Sequence, residues 1–138
     1  MAAKMNATHF ILFTSDQDLS TAFYSRVLGL KPRLLVPGMT EFDLPGGAVL
    51  GLMPEAGIRR LLGDAIPDPA TAAGAPRSEL YLVVDDAEIF HSRALSSGAR
   101  ELSPVLNRDW GHNTGYSLDP DGHLLAFAEI KDEDDVRV

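Results

Sequence analysis

One pattern, an apolar run, an amphipathic stretch and further apolar runs, is written twice in this chain, and such a repeat restricts the fold more than any other feature. The first copy begins at His9-Phe-Ile-Leu-Phe-Thr-Ser-Asp16 and passes through a helical stretch to Leu28-Gly29. The second begins at Glu79-Leu-Tyr-Leu-Val-Val-Asp85 and runs similarly to Gly98-Ala99. Ser15-x-x-Asp18 and Asp85-x-x-Glu88 have helix-start spacing. The first helix is predicted to set Leu19, Phe23 and Val27 on one face, and the second Phe90 and Ala94, flanked by Ile89. Gly29 and Gly98 read as helix stops.

Strand-like runs follow each helix. In the first copy they are Glu41-Phe-Asp-Leu44 and Ala48-Val-Leu-Gly-Leu-Met53, joined by Pro45-Gly46-Gly47. In the second they are Thr114-Gly-Tyr-Ser-Leu118 and His123-Leu-Leu-Ala-Phe-Ala-Glu129, joined by Asp119-Pro-Asp-Gly122, whose residue order suits a type I turn with a glycine bulge. The predicted organisation is a single α+β domain over 1–138: module one at about 8–55, a linker at 56–78, module two at about 79–130 and an acidic tail at 131–138. The linker holds a short helical piece around Ile58–Leu62 and then a stretch rich in Pro and Ala. The tail reads as a solvated end.

Composition narrows the function. Twelve Lys+Arg against twenty Asp+Glu give a net charge of −8, which argues against nucleic-acid and membrane-surface partners and favours a cationic over an anionic ligand. The chain contains no cysteine, so disulfides, thiolate metal sites and a cysteine nucleophile are excluded. No apolar run approaches the roughly 20 residues of a membrane span. The start, Met1-Ala-Ala-Lys-Met-Asn, lacks the apolar stretch of a secretion signal, so the expected location is cytoplasmic.

The run Leu19-Ser-x-x-Phe23-Tyr24-x-x-Val27-Leu28-Gly29-Leu30, the late Asp119-Pro-Asp-Gly122 and the two-copy layout resemble the vicinal oxygen chelate superfamily. That group contains glyoxalase I, metal-dependent fosfomycin-resistance enzymes, extradiol dioxygenases and bleomycin-resistance binding proteins. The resemblance covers nearly the whole chain. It implies two tandem βαβββ modules forming a curved mixed sheet around a cleft, commonly as a homodimer. It does not choose a chemistry, because one fold hosts many.

Alternation along the strands divides their residues into two faces. Phe10, Leu12, Leu50, Leu52, Leu80, Leu82, Leu125 and Phe127 form a uniformly apolar set, as the face beneath the helices requires. The other set mixes polar handles with apolar walls, as a small-molecule cleft does. It holds His9, Ile11, Phe13, Val49, Gly51, Met53, Glu79, Tyr81, Val83, Leu124, Ala126 and Ala128. A bulge in the Asp119–Gly122 turn adds Thr114, Tyr116 and Leu118 to it.

Metal-dependent relatives place one ligand on each of four strands. By resemblance, the four positions fall on His9, Gly51, Glu79 and Ala126, and two of these side chains carry no ligand atom. A catalytic metal takes about three protein ligands, so the expectation is a metal-independent site with no cofactor. A divalent ion held incompletely by His9 and Glu79 is the alternative. His9 and Glu79 occupy equivalent places in the two copies and are expected to pair. Trp110 lies in Asn107-Arg-Asp-Trp-Gly-His-Asn113, which is similar to a segment of bleomycin-resistance proteins where an aromatic residue packs on a planar ligand; closing the sheet edge as core is its other reading. Arg108, Asp109 and His112 read as loop residues, and His91 and His123 as surface residues. Arg59 and Arg60 read as cleft gates or solvated cations.

The leading expectation is a small-molecule binding protein with His9, Met53, Glu79, Tyr81, Trp110 and Tyr116 as ligand-binding residues. A metal-dependent lyase, isomerase or dioxygenase of the same superfamily is the alternative, its site completed by a loop residue such as His112. A structural or regulatory dimer with a self-filled cleft is the third.

Overall fold

The computed structural model describes residues 3–131, so the acidic tail past Lys131 lies outside the described residues. The chain divides into two compact units, one ending at Ala72 and the other beginning at Ala73, with Arg26–Leu28 grouped with the second. The first contains β1 (Thr8–Thr14), α1 (Gln17–Leu28), β2 (Leu34–Val36), β3 (Met39–Asp43), β4 (Ala48–Pro54) and α2 (Glu55–Leu62). The second contains β5 (Glu79–Val83), α3 (Ala87–Ser96), β6 (Arg100–Asn107), β7 (His112–Leu118) and β8 (Leu124–Ile130). Each unit builds one four-stranded mixed sheet, and the two strand orders match: β1-β4-β3-β2 and β5-β8-β7-β6. The first and last strands of each copy pair in parallel, and the remaining pairs are antiparallel. No described helix is long and apolar enough to cross a membrane.

The alternation seen in the sequence survives as burial. In the first sheet Leu12, Phe42, Leu50 and Leu52 lie on the buried face, and in the second Leu125 and Phe127. Each large apolar side chain removed from water there contributes about 1.5–3 kcal/mol. Phe10, expected in that set, is exposed. The strands β2 and β6 carry no strong pattern. The first has only three residues, and the second includes Pro104 and two register shifts, features suited to an edge strand.

Helix starts lie one residue later than the capping spacing suggested. Asp16 caps α1 by accepting from the Leu19 N–H at 3.0 Å, and Asp86 caps α3 by accepting from the Ile89 N–H at 3.2 Å. Gly29 ends α1 in the left-handed conformation at φ 68°, which glycine adopts without a Cβ penalty. Phe23 and Val27 are buried as predicted, whereas Leu19 is exposed. On α3 the buried face is Ala87, His91 and Ala94, while Ile89 is exposed. Gln17 ties α1 to the β2–β3 turn: its side-chain N–H groups donate to Val36 O and Thr40 Oγ1, and its Oε1 accepts from Gly38 N–H. In the linker, α2 ends in a staple made by Arg59, which donates to the Gly63 and Ile66 carbonyls and pairs with Asp64.

Two histidines expected at the surface are buried. His91 Nε2 meets Glu101 Oε2 at 2.8 Å, and its Nδ1 lies against Gly115 with no hydrogen-bond partner. His123 Nδ1 meets Ser78 Oγ at 3.1 Å. A helix projects side chains in every direction, so sequence position alone did not reveal which one faces the sheet. Gly115 is the residue that lets α3 approach β7. A Cβ there would stand 2.7 Å from His91 Nδ1 and 2.9 Å from Val105 Cγ2. We therefore expect Gly115→Ala to destabilise the chain by about 1–3 kcal/mol, as overpacking does. Denaturant unfolding would show this as a lower midpoint at unchanged m-value, and an unchanged midpoint would refute the close fit.

Candidate functional site

The first module's mixed face is built from rows of paired residues. His9 pairs with Val49, Ile11 with Gly51, and Phe13 with Met53; Gly51 in turn pairs with Glu41. Within this module a carboxylate meets His9: its Nδ1 lies 3.4 Å from Glu41 Oε2. Arg33 holds the other Glu41 oxygen at 3.0 Å and Asp43 at 3.1 Å. Those two partners, Asp43 first and Glu41 second, raise the Arg33 pKa further above its ordinary value. Alternation would have found Glu41, since it sits two residues from Met39 and Asp43 on one face of β3. Met53 is half-buried on the same sheet face, close to Gly57 of α2.

The second module gathers more chemistry. The Asp119–Gly122 turn closes as the sequence suggested: Gly122 takes φ 88°, and its N–H donates to Asp119 O at 2.9 Å. The resulting register pairs Leu118 with Leu124, Tyr116 with Ala126, and Thr114 with Ala128, while Tyr81 pairs with Ala126 from the other side. Tyr81, Ala126 and Tyr116 thus form one row across β5, β8 and β7. His112 and Thr114 share that face.

The Tyr81 hydroxyl is the hub of this face. It receives the Trp110 Nε1–H at 2.9 Å, and lies 2.6 Å from His112 Nδ1 and 3.3 Å from Thr114 Oγ1. The Tyr81 and His112 rings lie 5.8 Å apart at 31°. Trp110 is pinned by this bond although the residue is 44% exposed, so its indole is neither a core plug nor a free loop side chain. Arg108 is likewise no ordinary loop residue. Its guanidinium donates to Thr114 O and Ser103 Oγ and stands 5.1 Å over the Tyr116 ring, a cation–π contact. Glu79 opens β5 and is exposed, so it needs no buried partner.

The structure therefore places Glu79, Tyr81 and Tyr116 on one sheet, with Trp110 in the loop before β7 bonded to Tyr81. His9 and Met53 belong to the other. His112, expected in a loop, begins β7 and contacts Tyr81. Its two-residue and four-residue offsets from Thr114 and Tyr116 were the available signal. Two hollows of ≈ 450 Å³ are lined by none of these residues; one borders the start of α1 and Leu35–Pro37, the other runs along α3.

At the four positions where metal-dependent relatives carry ligands, the donors are the His9 imidazole and the Glu79 carboxylate. Glycine at 51 is closely enclosed: a Cβ would lie 3.1 Å from Ile11 Cγ1 and 3.3 Å from Met39 Sδ. Ala126 is fully buried in its row. Among the described residues no three His, Asp or Glu side chains gather as a metal site would require.

Burial, with the nearby Glu79 charge second and Tyr81 third, pushes the Tyr116 hydroxyl above its ordinary value of 10.0, and Arg108 opposes the shift. Tyr116 thus holds its proton more tightly folded than unfolded. Its contribution to stability is complete below about pH 10 and is lost as pH rises through the folded value. In a tyrosinate absorbance titration, Tyr116→Phe should remove a late step, and Glu79→Gln should bring that step to lower pH. A late step that persists in Tyr116→Phe would assign the shift to another tyrosine.

Comparison with known proteins follows the same lines. Residues 6–127 match the profile of the Glyoxalase/Bleomycin resistance protein/Dioxygenase superfamily. Among solved structures, a glyoxalase-related enzyme from Fulvimarina pelagi is similar at 23% identity and TM-score 0.76, over 91% of this chain and 88% of that one. A glyoxalase/bleomycin resistance protein/dioxygenase family enzyme from Burkholderia phytofirmans PsJN is similar at 19% identity and TM-score 0.75, over 90% and 98%. A glyoxalase/bleomycin resistance protein/dioxygenase from Nocardioides gives 20% identity and TM-score 0.73, over 96% and 88%. At these identities the likeness speaks for the fold alone. No match was found among curated proteins. With the profile covering most of its length and the same βαβββ order in both modules, the chain belongs to the Glyoxalase/Bleomycin resistance protein/Dioxygenase superfamily.

Proposed function

We propose that the chain is a metal-independent small-molecule binding protein, taking a planar ligand against the second module's face. One observation carries this reading: Trp110 is 44% exposed, yet its indole N–H is held by the Tyr81 hydroxyl. An aromatic surface that is already ordered loses little freedom when a ligand stacks on it, so more of the contact energy appears as affinity. Tyr81 and Tyr116 extend that surface, Arg108 locks Tyr116 from one side, and Glu79 supplies a negative rim. His9 and Met53 lie on the equivalent face of the first module. The shortage of ligand atoms at Gly51 and Ala126 supports a site that works without a metal. A homodimer is part of the proposal, supported by the exposed apolar residues Leu34, Leu35 and Val36 on the edge strand β2.

Trp110 is the single tryptophan, so its fluorescence reports this face directly. Planar aromatic ligands should quench it saturably, with no effect of chelator, on protein that elemental mass spectrometry finds free of divalent metal. Calorimetry should show Trp110→Ala weakening binding by about threefold to tenfold, the scale of one aromatic contact. About one Ni, Zn, Mn or Fe per chain, lost in His9→Ala, would instead support the lyase, isomerase or dioxygenase reading.

A further inference from the structure

The hydrogen-bond pattern around Tyr81 has one consistent arrangement of protons. Trp110 Nε1–H can only donate, and it points at the Tyr81 oxygen. Thr114 is fully buried, and Tyr81 is the partner of its hydroxyl, so that proton also goes to the Tyr81 oxygen. Two donors fill the two lone pairs of a phenolic oxygen. The phenolic proton must then leave toward the remaining neighbour, His112 Nδ1, at 2.6 Å. That separation lies in the range of O–H donors and below the usual N–H···O range of about 2.7–3.2 Å. The reverse arrangement, with His112 Nδ1–H donating, would put a third donor on Tyr81 and leave the buried threonine or the phenol with a proton and no acceptor.

We infer that Tyr81 is a positioning residue that fixes His112 in its Nε2–H tautomer, and that this N–H is the donor selecting ligands with an acceptor oxygen, such as a carbonyl. The inference rests on the binding reading above. It names the ligand atom that reading leaves open. His112 is half-buried at the start of β7, and its Nε2 has no hydrogen-bond partner among the described residues. A neutral imidazole with an accepting Nδ1 carries its proton on Nε2, so the exposed nitrogen donates.

Two measurements on the full chain test this. Long-range ¹H–¹⁵N correlation of the His112 ring at neutral pH should show a bare Nδ1 and a protonated Nε2, and Tyr81→Phe should let both tautomers populate. A protonated Nδ1 in the unaltered protein overturns the assignment. The probe pair is acetophenone and α-methylstyrene, aromatic molecules of similar size that differ in a carbonyl oxygen against a methylene group. Followed by the Trp110 Nε1–H shift, the ketone should bind about threefold to tenfold more tightly, the scale of one neutral hydrogen bond. His112→Phe should abolish that preference. Equal binding of both probes with Nε2–H in place overturns the donor role and leaves the binding face standing. Binding of neither probe overturns the binding face and the selectivity built on it, whatever the tautomer.

Discussion

The second module's site depends on how one carboxylate closes a turn. Asp119 is buried, and its Oδ1 accepts from the N–H groups of Asp121 and His123, both at 2.9 Å. Its own backbone N–H donates to His123 O, also at 2.9 Å. These bonds set the first pair of the β7–β8 ladder, Leu118 with Leu124, and every later pair follows. Side chains alternate with period two, so a slip of one residue would send His112, Thr114 and Tyr116 to the opposite face. The hub at Tyr81 would then lose His112 and Thr114 together. An acidic residue that looks available for chemistry is fully engaged in fixing strand register.

The same topology in the two modules carries opposite chemistry. Across the first sheet one row reads Ile11, Gly51, Glu41; across the second the equivalent row reads Tyr81, Ala126, Tyr116. Both rows place the smallest side chain on the central strand. In the first, Ile11 and Met39 crowd over Gly51, and the polar group beyond is a carboxylate paired with Arg33 and His9. In the second, Ala126 lies between two tyrosines, and the polar groups are held by hydrogen bonds to Tyr81 and by the Arg108 guanidinium. Partly exposed ion pairs of the first kind contribute little net stability, whereas the buried Thr114 hydroxyl would be costly to leave unmatched. The stronger constraint on geometry therefore lies in the second module.

Much of this architecture was legible because repeats and alternation are local signals. The two copies, the turn at Asp119–Gly122 and the apolar set Leu12, Leu50, Leu52, Leu125 and Phe127 could be read from the chain directly. What the sequence hid depends on contacts between distant residues. The strand β6 contains Pro104 and twice shifts register, so no period-two pattern marks it. His91 is buried because Gly115, far along the chain, leaves room for its ring. The pairing of His9 with Glu41 follows from β3 lying beside β4, which alternation alone does not state. His112 looked like a loop residue because the turn before it, Arg108–Gly111, carries the sequence signature of a loop up to the first residue of the strand.

Ordering a small-molecule site requires that a few polar atoms have one direction each. A metal ion achieves this by imposing coordination geometry on its ligands. In the second module the phenolic oxygen of Tyr81 has a comparable effect through proton counting: it takes two donors and directs its single proton to His112. The partners come from three places in the chain: Trp110 from the loop before β7, His112 and Thr114 from β7, and Tyr81 from β5. Loss of any one partner frees a lone pair or a proton and lets the others reorient.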